Sequence, residues 1–420
     1  MTAPGPLTSV VLGNGLRVRL LPTGHRGVAC VVLTIASGAG SDPWEASGLA
    51  HMVEHLTFRR APAPGGGVGA IERAGGMCSA TTHHEHTEFV SVLPAESVDE
   101  ALAAEAHRLR PPETGAEALR GERGVVLAEI AALSSGIAAF PWDRLPPLLH
   151  GPGPHTRLPH GERDAVARLT GDTAAEFHSA HYVPSNTVVT VAGDICPQRT
   201  LESVGRHFES FPPGGGPAVP DPPARPLDPG AHRAEERGGP PGIVLAAIGY
   251  PAAALRPDRP GSLGGLVVAE LLAARFRGHV SRRADLLSAR VDHGRPGQRF
   301  TSAAASTLAV RIAHPDTTDT GRLVAEVDGE LEQISSGRFS EQEMRRAVAA
   351  LTLEQLRLLD DLASVAAGIG RSEAVLGDPA PHLELSKELE ELRFDQVCAA
   401  AGRSREGGRA VVRVLPREEP

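Results

Sequence analysis

A mixed fold, α/β or α+β and built as two similar halves, follows from three observations on the sequence. Apolar, β-branched runs of strand length alternate with stretches of helical periodicity. The pair Asn14-Gly15 stands between two apolar runs, the signature of a tight antiparallel hairpin. A stretch dense in Pro and Gly between Phe211 and Gly242 divides the chain near its middle.

Taken in order, residues 10–21 read as two short strands around the Asn14-Gly15 turn. Residues 29–36 are an almost continuous apolar run and predict a buried strand. Ser47 offers a side-chain oxygen to cap a helix over 48–59. Residues 61–67 read as a loop and 70–74 as a short helix closed by Gly75-Gly76. A strand is expected over 81–93, entered through a Thr- and His-rich stretch. Helices are expected over 98–109, ending before Pro111-Pro112, and over 117–133. Residues 187–192 predict a β-branched strand. Beyond the Pro/Gly stretch, residues 243–250 resemble the 29–36 strand, and 265–272 resemble 48–55. The expected organisation is therefore a domain over 1–211, a linker over 212–241 and a homologous domain over 242–420. That pairing sets Val268, Leu271 and Leu272 opposite His51, Glu54 and His55, so chemistry at the three earlier positions belongs to the first half alone.

Composition narrows the class. The chain has 420 residues, 41% of them apolar, which is ample for a sizeable core. Its 42 basic and 51 acidic residues leave a net charge of −9, which argues against a nucleic-acid coat. No apolar run approaches the ~20 residues of a membrane span. The opening residues lack a basic then apolar leader pattern. Cys30, Cys78, Cys196 and Cys398 are far apart and suggest neither a disulfide framework nor a thiolate zinc site. A cytoplasmic protein with free thiols is expected.

The chemistry concentrates in His51-Met52-Val53-Glu54-His55, an H-x-x-E-H pattern on an expected helix. At ~100° per residue the two histidines lie about 40° apart on one face, with Glu54 about 60° to the other side of His51. Two imidazoles so placed can hold one Zn²⁺ and leave the carboxylate beside the open position. Further along, Glu122 and Glu129 are almost two turns apart and share a helix face with Val125, Val126, Ile130 and Leu133. Carboxylates within an apolar stripe need a partner. The alternative is an ordinary helix whose glutamates reach water at the stripe's edge.

The ordered set of motifs resembles the pitrilysin/insulinase family of zinc peptidases, whose signature is H-x-x-E-H, and in particular its short bacterial processing-peptidase-like members and the mitochondrial processing peptidase subunits. The similar elements are the hairpin of 12–18, the H-x-x-E-H helix, Gly75-Gly76, the Ala80–Phe89 strand, the E-x6-E pair about 75 residues past His55, and Tyr182-x-Pro184-x-Asn186 followed by Gly193-Asp194. The resemblance covers residues 8 to 210; the second half is similar only in layout. It implies an α+β fold of two homologous domains, each an antiparallel-rich sheet packed with helices. It implies one Zn²⁺ per chain on His51, His55 and Glu129, with Glu54 as general base and Glu122 orienting the site. Strand 81–89 would be the sheet edge on which a peptide adds as a further strand, with Ser79, Ala80, Thr81 and Thr82 as substrate contacts. The implied activity is endopeptidase cleavage of peptides or unfolded or leader segments inside a chamber formed by paired chains. A non-catalytic scaffold or peptide-binding subunit is the alternative.

Two departures from the family stand out. Ser79 replaces an expected amide. The stretch 279–302, where relatives carry an Arg and a Tyr that hold substrate, has Arg282, Arg283 and Arg290 but no tyrosine; the chain's two are Tyr182 and Tyr250. A homologous partner subunit supplying the missing pair is therefore expected, a heterodimer ahead of a homodimer, with no nucleic-acid or membrane partner. Elsewhere, His83, His84, Glu85 and His86 form a local cluster that could store metal, though partly exposed strand residues are the plainer reading. On a strand His84 and His86 would share a face without His83. His150, His155 and His160 fall in a Gly/Pro loop and read as surface residues or as the lining of a substrate path. The charged helical face of 341–361 reads as solvated.

Overall fold

A computed structural model of the chain describes residues 5–58, 68–134, 140–153, 156, 158–215, 231–256, 262–295 and 300–417. The expected loop over 61–67 and half of the expected linker, residues 216–230, lie outside them. In chain order the elements are β1 (Thr8–Val11), β2 (Arg17–Pro22), β3 (Val28–Ile35), α1 (Leu49–Phe58), α2 (Val68–Arg73), β4 (Met77–Thr82), β5 (Thr87–Pro94), α3 (Val98–Ala106), α4 (Ala116–Ser134), α5 (Leu145–His150), α6 (Arg163–Arg168), α7 (Gly171–His181), β6 (Thr187–Gly193) and α8 (Pro197–Phe208). There follow β7 (Ala231–Gly239), β8 (Ile243–Ala252), α9 (Gly264–Val280), β9 (Ser288–Gly294), β10 (Ser306–Pro315), α10 (Thr320–Ser335), α11 (Glu341–Asp360), α12 (Leu362–Leu376), α13 (Ala380–Glu390), α14 (Phe394–Glu406) and β11 (Arg409–Pro416). Among the described residues no helix is long and apolar enough to cross a membrane.

The strands form two sheets, ordered β1-β2-β6-β3-β5-β4 and β7-β11-β8-β10-β9. Among the described residues only the pairs β2–β6 and β7–β11 are parallel. This is the antiparallel-rich α+β arrangement the sequence predicts, with one sheet in each of two compact units.

The division between the units differs from the expected one. The first comprises residues 1–130, 158–220 and 357–383; the second comprises 131–157, 221–356 and 384–420. The chain thus crosses between units more than once, where a single linker over 212–241 was expected. Residues 231–239 of that expected linker are strand β7. Its partly buried and exposed residues alternate and it pairs only with β11, as a polar edge strand does, so it shows none of the apolar continuity that marks β3.

In the first unit β3 is a central strand, and its continuous apolar run is explained by burial on both faces. Val31, Leu33 and Ile35 pack with Met52, Val53, Leu102 and Phe177 on one side. Cys30 and Val32 pack on the other with Val365, Ala366 and Ile369 of α12. Gly370 of α12 lets the helix approach closely, since a Cβ there would lie 2.5 Å from the Thr34 hydroxyl oxygen. Arg19 pairs with Glu373 at 2.8 Å, fixing the helix to β2. The hairpin turn carries more than its turn: Asn14 donates to the Phe208 and Phe211 carbonyls, tying the β1–β2 turn to the end of α8.

The second unit is built on β8 and β10, paired over ten residues each. Val268, Leu271 and Leu272 of α9 are buried core residues, so the counterparts of the H-x-x-E-H positions serve packing there. Tyr250 is buried and donates to Asp328 at 2.7 Å.

Candidate metal centre

Helix α1 begins where the chain is pinned by Asp42, whose carboxylate accepts from the Gly48 and Ala50 backbone N–H groups at 2.6 and 2.8 Å. Asp42, not Ser47, is the residue that caps this end, a role its distance from the helix hides in the sequence. The apolar positions Leu49, Met52, Val53 and Leu56 enter the core, and His51, Glu54 and His55 are buried as well. Burial of three ionisable side chains on one helix is costly unless they have partners.

Those partners come from α4. Glu129 places one carboxylate oxygen 3.5 Å from the Nε2 atoms of both His51 and His55, which are 3.2 Å from each other. Around a tetrahedral ion with ~2.0–2.1 Å bonds, neighbouring ligand atoms stand about 3.3–3.4 Å apart. The three donor atoms therefore have the spacing of one face of such a site. Glu122, two turns earlier on α4, lies 3.1 Å from His55 Nδ1. Accepting a hydrogen bond from Nδ1–H there holds the ring with its Nε2 lone pair towards the other ligands. The donor set, two imidazoles and a carboxylate backed by a second carboxylate, suits Zn²⁺.

Electrostatics point the same way. Burial, then the neighbouring His55 and His160 rings, push His51 down to about 3, so it is a neutral, ligand-competent imidazole at ordinary pH. Burial raises the Glu54 carboxyl above the usual range, opposed by His55 and by the Thr82 hydroxyl, which donates to one carboxylate oxygen at 3.0 Å.

Of the four expected substrate contacts, Ser79 and Thr81 are exposed on β4, Ala80 is half-buried, and Thr82 is buried against Glu54. The expected strand over 81–93 is broken: β4 ends at Thr82, residues 83–86 turn, and β5 resumes at Thr87. The sheet edge is β4, while Phe89 lies on the interior strand β5.

The His-rich turn is not a partly exposed strand. His83, His84, Glu85 and His86 are all buried, and the His83 and His86 rings stack with centroids 4.5 Å apart. With Glu88 they form a second group of metal-ligand type. Here Arg371 of α12 already stands 3.3 Å from both Glu88 oxygens and donates to His86 Nε2. Burial alone would raise Glu88, but His83, His86 and Arg371 hold it well below the usual range. An added dication would meet the guanidinium in a buried setting, so the group reads as a buried ion-pair network.

One residue of the Gly/Pro loop belongs to the centre. His160 stands edge-on to His51, ring centroids 5.2 Å apart. Burial lowers its pKa, with Glu129 opposing and His55 adding. Its loop is held by two glycines in the left-handed region, Gly48 (φ 91°) and Gly161 (φ 82°). A Cβ on Gly161 would fall 2.3 Å from the Gly48 Cα, so these positions admit no side chain. His150 instead bonds to Thr307, and His155 lies outside the described residues.

Two arginines of the 279–302 stretch are ion-paired to nearby carboxylates: Arg283 with Asp285 and Glu326, Arg290 with Asp292. Tyr182 is buried, as is Tyr250.

Comparison with known proteins gives two family matches. Residues 22–145 match Insulinase (Peptidase family M16), and residues 168–351 match Peptidase M16 inactive domain. The chain is 29% identical over 210 residues to "Zinc protease PqqE" of Helicobacter pylori, covering 48% of this chain and 47% of that protein. It is 32% identical over 317 residues to "Coenzyme PQQ synthesis protein F" of Pseudomonas aeruginosa, covering 73% of this chain and 38% of the relative. It thus spans about half or less of the length of these curated relatives. A solved Helicobacter pylori protease superposes with a TM-score of 0.86 at 22% identity, over 98% of this chain and 100% of the other, which establishes the shared fold.

Proposed function

Since the chain belongs to the insulinase (M16) peptidase family, we propose that it is a zinc-dependent endopeptidase acting on extended peptides, unfolded segments or leader segments. The carrying observation is the convergence of His51, His55 and Glu129 donor atoms at 3.2–3.5 Å beside the buried Glu54. Zinc, when bound, would polarise the scissile carbonyl and acidify a water molecule.

The protein's own residues do the rest. Glu54 takes the proton of the attacking water on its carboxylate and returns it to the leaving amine; a carboxyl raised by burial is suited to both tasks. Thr82 holds one Glu54 oxygen, leaving the other to face the water. Substrate adds along the edge strand β4, where main-chain pairing reads extended peptides with little side-chain preference. The free cysteines suit a reducing compartment such as the cytoplasm.

Full activity calls for a homologous partner subunit, because both tyrosines are buried, Tyr250 bonded to Asp328, and Arg283 and Arg290 are ion-paired. Digesting a peptide library with wild type and with Glu54→Gln tests the proposal. The variant is expected to keep its zinc and lose about 10²–10⁴-fold in rate. Equal digestion by both proteins sinks the mechanism. Full activity from the chain alone sinks the partner requirement.

A further inference from the structure

The loop that carries His160 is built into the start of α1 and not merely draped across it. Gly161 and Gly48 are in backbone contact, three residues before His51, and neither position tolerates a Cβ. The His160 carbonyl oxygen lies 3.0 Å from where a Cβ on Gly48 would stand. The imidazole is thereby held beside His51 and within electrostatic reach of His55 and Glu129.

It is not a fourth ligand by distance. The group whose donor atoms all lie within 4.8 Å of one another is His51, His55 and Glu129, without His160. Nor does it have a packing histidine's usual hydrogen bonds, since its Nδ1 is buried with no partner among the described residues. A buried N–H without an acceptor is rarer than an unfilled lone pair, so the lone pair is assigned to the unpartnered Nδ1 and the proton to Nε2.

We propose that His160 is a further catalytic residue of this centre, its Nε2–H donating a hydrogen bond to the substrate's carbonyl oxygen as negative charge develops there. This rests on the peptidase reading above. It gives the chain its own oxyanion donor and leaves the partner subunit to hold the peptide on either side. A preorganised donor in such a place is worth about 10²-fold in rate.

The test uses the full chain, zinc-loaded, with its partner if one is required, and a quenched-fluorescent peptide taken from the library digest. A phosphinic pseudopeptide of the same sequence mimics the tetrahedral oxyanion. For His160→Ala and His160→Asn, calorimetry should show the phosphinic peptide bound about 10²-fold more weakly. The rate constant should fall in parallel, with KM and zinc stoichiometry unchanged. His160→Gln, whose amide N–H can reach where Nε2 stood, should recover most of both. Unchanged phosphinic affinity in His160→Ala overturns the proposal. So does loss of zinc or of the folded circular-dichroism signal in both His160→Ala and His160→Gln, which would make the residue a ligand or a packing group. Wild-type protein that binds zinc but cleaves nothing counts against the peptidase reading itself, and is distinguished by failing before any variant is compared.

Discussion

Thr82 and Glu122 each touch one functional side chain, and their replacement separates two properties of the centre. Glu122 lies 3.1 Å from His55 Nδ1, so Glu122→Ala frees the ring to rotate and change tautomer. Zinc affinity should fall about 10–100-fold, read by competition with a chromogenic chelator, while the melting temperature without zinc hardly moves. Thr82→Val removes the donor to Glu54 and keeps the shape. A lost bond to a charged group costs about 1.5–3 kcal/mol, so the rate should fall about 10–100-fold with zinc content unchanged. At this scale much of the centre is legible in the sequence. H-x-x-E-H and E-x6-E are helical spacings, and geometry alone says which residues share a face. His160 was not legible as part of the centre, because a Gly/Pro loop has no periodicity. Its place is set by two glycines 113 residues apart that touch only in the folded chain. Asp42 was missed for a related reason: it caps α1 from six residues before Gly48.

Among the elements, α12 braces the first sheet from behind the site. It lies across the face of the first sheet opposite α1, with Gly368 and Gly370 against His382 and Thr34. A Cβ at Gly368 would come within 2.1 Å of the His382 ring. Gly368→Ala should therefore cost about 1–3 kcal/mol, measured by urea unfolding. Arg371→Ala leaves Glu88 buried without its cation and should cost about 3 kcal/mol; Arg371→Lys should restore part of it. If Arg371→Ala instead gained a bound zinc ion at His83, His86 and Glu88, the ion-pair reading of that cluster would be wrong. The sequence reading assigns 362–376 only to the expected second domain over 242–420. What it cannot show is the destination, since apolar and glycine positions do not say which sheet they meet. Strand β7 was hidden for the opposite reason: a polar edge strand lacks the apolar run that identified β3 and β6.

Across the whole molecule, buried neutral histidines make folding sensitive to acid. His150 in the second unit and His382 in the first are both lowered to about 4, chiefly by burial. Against an ordinary value near 6.5, the unfolded chain takes up these protons first. Stability is full above pH 6.5 and is lost as pH falls towards 4. His382 alone should cost about 2 kcal/mol at pH 5 relative to pH 7.5. Urea midpoints across that range should decline, and the decline should be shallower in His382→Gln; an unchanged slope would show that the ring is not protonated on unfolding.

The path of the chain between its two units has a consequence for biogenesis. The first sheet is complete in its strands once β6 has emerged, and α8 follows by residue 208. Its second face remains uncovered until α12 ends at residue 376. At ~5–20 residues per second a ribosome needs about 10–30 s to bridge that gap. During that interval Cys30, Val32 and Ala192 present an apolar surface with no cover from their own chain. The nascent first unit is then a natural client for a chaperone, and a fragment stopping at the central Pro/Gly stretch would stay one for good.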